Sequence, residues 1–144
     1  MSTYKTRRTI IGQLASGSDL YEEMTKIVQR EDILIGRIQG IGVVTQAKIA
    51  YYDQNKSEYI NLEFSDGMEI VSLTGNISMR DGKPFIHAHI VLSDREGKTF
   101  GGHLLPGTKL FACELFIEEL DGEKLIRTKD GKTGLFLWDS GPLT

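Results

Sequence analysis

Scarcity shapes the first reading of this chain of 144 residues, which contains one cysteine, one tryptophan, three prolines and three histidines. A lone thiol, Cys113, excludes an intramolecular disulfide. No apolar run approaches the roughly 20 residues of a bilayer-spanning helix, and no charged leader followed by an apolar stretch opens the sequence. The expectation is a protein of the reducing cytoplasm with no membrane partner. Excess positive charge is missing too: the formal net charge is -3, which argues against the broadly basic surface that drives non-specific nucleic-acid binding. The only basic cluster is Lys5, Arg7 and Arg8. It reads as a solvated edge that opens the first strand, with phosphate binding as the other reading. Linkers, repeats and shifts of composition are absent, so residues 1–128 form one domain in this reading. Residues 129–144 are then a C-terminal tail, either loosely ordered or with Phe136 and Trp138 packed on the body or on a neighbouring subunit.

Strand patterns dominate what is present. Thr9 to Leu14 reads as a strand. Asp19 with Glu22 matches a capping box, and Leu20, Met24, Ile27 and Val28 follow at helical spacing, which predicts an amphipathic helix over Leu20 to Arg30. Strands are predicted at Ile33 to Ile41, Gln46 to Tyr52, Tyr59 to Phe64, Met68 to Ile77, Phe85 to Ser93, Lys109 to Leu120 and Lys124 to Arg127, separated by turn signals such as Asp53-Gln-Asn55 and Arg80-Asp-Gly82. The fold class is therefore α+β, a largely antiparallel sheet of seven or eight strands with one main helix. In the last long strand, Phe111, Cys113, Leu115 and Ile117 are expected on one face, with Leu110, Ala112, Glu114 and Phe116 on the other. Apolar residues on both faces exceed what one helix can cover, which predicts a homo-oligomer.

All three histidines fall between Pro84 and His103. On a strand, the two-residue period places His87 and His89 on one face. Gly101-Gly102 allow positive φ or close backbone approach, so that His103, in a loop, comes alongside. Three neutral imidazoles suit a divalent metal ion, zinc by default. Glu69 and Glu114 interrupt apolar strands and are candidates to orient a metal-bound imidazole, the alternative being outward-facing or salt-bridging carboxylates. Cys113 reads as a small buried hydrophobe, with metal ligation as the minor reading.

The string Gly67-Met-Glu-Ile-Val-Ser-Leu-Thr-Gly75, then His87-Ala-His89, then Gly101-Gly102-His103-Leu-Leu-Pro-Gly107 and Ala112-Cys-Glu114, resembles the plants and prokaryotes conserved family, known as PPC. The resemblance spans roughly Thr9 to Leu120. It implies an α+β fold that assembles as a trimer, and a metal site at His87, His89 and His103 as in metal-containing prokaryotic members. Plant members are linked to DNA through an Arg-Gly-Arg-Pro hook outside the domain, and no such hook exists here. The function expected is a binding or regulatory module with a three-histidine metal site, DNA being a weakly supported partner. The alternative is an enzyme that uses metal-bound water on a small substrate. Cupins also place HxH on a strand, but Ile90-Val-Leu-Ser lacks the acidic ligand they carry.

Overall fold

Asp19 starts the only helix among the described residues and ties it down. In the computed structural model, which describes residues 3–141, its Oδ1 accepts the Glu22 N–H at 3.1 Å and its Oδ2 accepts the Gly107 N–H at 2.6 Å. One carboxylate thus satisfies an orphan donor of the first turn and a loop donor 88 residues away. The helix α1 (Leu20–Arg30) buries Leu20, Met24 and Val28, the stripe that helical spacing predicts.

Strands follow in the order β1 (Lys5–Leu14) before the helix, then β2 (Gly36–Asp53), β3 (Glu58–Phe64), β4 (Met68–Arg80), β5 (Lys83–Ser93), β6 (Thr99–Leu104), β7 (Lys109–Asp121), β8 (Arg127–Lys129) and β9 (Phe136–Trp138). Seven of them form one antiparallel sheet in the order β1-β7-β2-β4-β5-β6, with β3 against β2. A further β2–β6 pairing joins the ends of the β2-β4-β5-β6 path, so those strands surround the core. Inside lie Ile49, Leu73, Ile90, Leu92, Leu104 and Ile117, all at most 1% exposed, together with the helix stripe. Burial of each such side chain contributes about 1.5–3 kcal/mol against chain entropy.

Several expectations are corrected. The segments read as two strands at Ile33 to Ile41 and Gln46 to Tyr52 are one 18-residue strand, β2. Its glycines suggest a tight turn or a bulge, and the structure has the bulge, with the β4 register slipping between Gly40 and Gly42. Gly101 to His103, read as loop, belong to strand β6. In β7 the predicted face assignment fails at one end: Leu110 is buried and Phe111 is 62% exposed. Val43 and Val44 pair with Ala112 and Leu110, so Phe111 is the extra residue of a bulge and the alternation changes phase there. The strand expected at Lys124 to Arg127 starts at Arg127 instead and pairs with β9, which no alternation announced. Pro142 of the tail lies outside the described residues. No helix among them is long and apolar enough to cross a membrane.

Candidate metal centre

The row Ile86, Ala88, Ile90 and Leu92 of β5 is buried in the core, so the pleat turns His87 and His89 to the other face. His103 arrives from β6, where it pairs with His89 on one side and with Ala50 of β2 on the other. Close approach explains the glycine before it: a Cβ on Gly102 would stand 2.6 Å from the Ala50 carbonyl oxygen. Neither Gly101 nor Gly102 uses positive φ, so the backbone freedom expected there is not what the site needs. The three rings meet with centroids 5.0–5.6 Å apart. One nitrogen from each lies within 4.8 Å of the other two.

These donors open on a cavity of about 810 Å³ that is also lined by Tyr59, Arg80, Phe85 and Arg127 and, among the described residues, by no aspartate or glutamate. Burial first, then the charge of Arg127 and the other imidazoles, pushes His87 down to about 4. Burial, His89 and Arg127 do the same for His103. Both rings are therefore neutral at pH 7 and keep a lone pair for a Lewis acid. The buried His103 Nδ1 has no hydrogen-bond partner, a cost of roughly 1–3 kcal/mol that a ligated ion would remove if it took that nitrogen. The donor set fits a divalent metal ion.

The other residues singled out in the sequence lie elsewhere. Glu69 and Glu114 line a different cleft, beside Gln13, Ile41, Val71 and Phe111, so neither orients these imidazoles. Cys113 is 2% exposed, burial pushes its thiol up to about 11, and it lines that same cleft; it is not a fourth ligand. Arg7 and Arg8 both meet Glu119, at 3.0 and 2.6 Å, and Arg8 also meets Glu31 at 3.1 Å. Their charge is spent inside the fold.

Arg127 is the residue that sequence reading passed over. Only 7% exposed, it donates from Nε to Ser78 Oγ at 2.8 Å, from Nη1 to the Phe136 carbonyl at 2.8 Å and from Nη2 to Asn76 Oδ1 at 2.7 Å. Nη2 also faces His87 Nδ1 at 3.3 Å. Its neighbour Arg80 stacks on Phe136, 3.6 Å from the ring centroid. The tail residue Phe136 thus walls the cavity on the body of the same chain. A basic residue in a short strand, 40 positions from His87, carries no sequence signal for this placement.

The chain is similar to several known proteins. The model of the Plants and Prokaryotes Conserved domain matches residues 1–121. A solved structure from Archaeoglobus fulgidus, described as a metal-containing protein, is 40% identical with a TM-score of 0.89, over 96% of this chain and 99% of that one. A plant- and prokaryote-conserved protein of Pyrococcus horikoshii is 37% identical with a TM-score of 0.92, covering 99% of both chains. A candidate DNA-binding protein of Bacteroides thetaiotaomicron is 26% identical with a TM-score of 0.85, over 96% of this chain and 98% of that one. The chain spans only 19% of the length of the first curated relative it matches.

Proposed function

The chain belongs to the Plants and Prokaryotes Conserved domain family, and from that premise we propose a cytoplasmic binding or regulatory module that holds one divalent ion through His87, His89 and His103. The observation that carries this reading is the convergence of three ring nitrogens within 4.8 Å. The Archaeoglobus relative, described as metal-containing, supports it. Imidazole nitrogens without thiolate suit zinc, which imposes no geometric preference of its own, and zinc is the ion assigned. When bound, it supplies a Lewis acid facing the cavity. The role of the chain's own residues is to keep two of the rings unprotonated and to fix all three on paired strands.

We assign a homotrimer as the assembly. Ile11, Ile41, Phe111 and Phe116 are 65, 54, 62 and 46% exposed on the neighbouring strands β1, β2 and β7, an apolar patch of the kind that a partner subunit covers. The domain is residues 1–128, with 129–144 as its tail. DNA ranks below metal as a ligand: the Bacteroides relative favours it, but Arg7 and Arg8 are paired with carboxylates. A second reading, a metal-dependent enzyme acting on a small substrate, is favoured by the size of the cavity.

Zinc titration of untagged, metal-stripped protein tests the proposal. Binding of about one ion per chain, abolished in a folded His103→Ala variant, is expected. Zinc affinity that His103→Ala and His87→Ala leave unchanged would overturn it.

A further inference from the structure

The histidine cavity has an excess of positive charge that no described residue lining it balances. Among the described residues no carboxylate lies within 4.0 Å of Arg127, whose partners Ser78, Asn76, Phe136 and His87 are all neutral. A guanidinium this buried ordinarily sits against a carboxylate. Arg80 beside it has one acidic contact, the 85% exposed Asp81 at 3.5 Å. Among the described residues no acidic side chain lines the cavity.

Ligation would sharpen this imbalance. A neutral imidazole has one in-plane lone pair. If His87 gives that pair to an ion, through either nitrogen, the Arg127 Nη2–H now facing Nδ1 at 3.3 Å loses its acceptor. The ion adds two further positive charges to the same space. An anion from outside would both accept from the stranded N–H and offset the charge, in a cavity whose described lining holds no acid.

We propose that this cavity is a binding site for a small organic oxyanion, its carboxylate or phosphate held by Arg127 and Arg80 beside the three imidazoles. Arginine is suited to the task, because its planar fork presents paired donors to such groups. The aromatic walls Tyr59, Phe85 and Phe136 surround the rest of the ligand with apolar surface, the usual construction of a small-molecule site. The site rests on the metal reading for part of its charge, while its two guanidinium groups belong to the protein alone.

Calorimetric titration of zinc-loaded, full-length protein with malonate, methylphosphonate and neutral malonamide tests this proposal. Binding of malonate or methylphosphonate but not of malonamide is expected, and the stronger of the two identifies the anionic group. Arg80→Gln, at a half-buried position, should weaken binding at least about tenfold, the worth of one charge-assisted hydrogen bond. Arg127→Lys, which keeps the charge and loses the fork, should weaken it by a similar factor. Absence of binding by protein that carries zinc, or binding that both variants leave unchanged, would overturn the oxyanion site and leave the metal reading standing. Should zinc itself not bind, the metal reading fails. The same titration of metal-free chain then decides the oxyanion site, by whether Arg80→Gln weakens binding or no binding occurs.

Discussion

Two arginine clusters in this protein have opposite surroundings. At the β1–β7 edge, Arg7 and Arg8 converge on Glu119, and Arg37 forks onto Glu118 with contacts of 2.9 and 2.8 Å. At the histidine cavity, Arg80 and Arg127 stand over aromatic rings, with no carboxylate among the described residues that line it. Charge at the edge is balanced within the chain, so it contributes to folding. Charge at the cavity is left unbalanced although its burial costs more, which is how binding sites differ from structural ion pairs.

The contrast can be broken experimentally, and the largest effect belongs to the ligand set. Replacing His87 by alanine should lower zinc affinity by on the order of 100-fold or more, since even outer partners of ligands cost 10–100-fold; competition with a chromogenic chelator measures it. Glu119→Gln strikes the other region. Glu119 is 6% exposed and serves two guanidinium groups, so about 1–3 kcal/mol of stability should be lost in urea unfolding while zinc affinity stays unchanged. A drop in zinc affinity there would mean that the two regions are coupled.

A further effect is expected from pH. His87 and His103 titrate in the fold at about 4, whereas unfolded histidine titrates at about 6.5. Between those values the unfolded chain takes up protons that the folded chain does not. Metal-free stability should therefore fall as pH is lowered through this window and level off below it. Urea midpoints at several pH values, compared with those of His87→Gln, separate this from general acid unfolding. The smallest effect is Arg37→Ala: its side chain is 64% exposed, so the loss should be under about 1 kcal/mol.

What the sequence disclosed follows the range over which each signal acts. Helix α1 was legible to the residue because capping by Asp19 and the Leu20, Met24, Val28 stripe are local. Strand β5 was legible because Ile86, Ala88, Ile90 and Leu92 alternate strictly, and the same alternation placed His87 and His89 together. Glycine left two uses open that look alike in sequence: Gly40 and Gly42 make a bulge within β2 rather than a tight turn, and Gly102 serves close backbone approach rather than positive φ. Phe111 was assigned to the wrong face because a bulge has no periodic signature. Arg80 and Arg127 escaped because their role depends on β8 and β9 folding back over β4 and β5, a long-range packing event. Glu69 and Glu114 were legible as unusual but not as distant from the imidazoles, since strand patterns give a face and not a position along the sheet.

The central claim, that three imidazoles form one metal centre, is tested most directly by X-ray absorption at the zinc edge on untagged protein loaded with one equivalent of zinc. The account predicts a first shell that includes three histidine nitrogens at about 2.0–2.1 Å, reduced by one in His103→Ala. A shell of oxygen or sulfur ligands, or a spectrum that His103→Ala leaves unchanged, would contradict it.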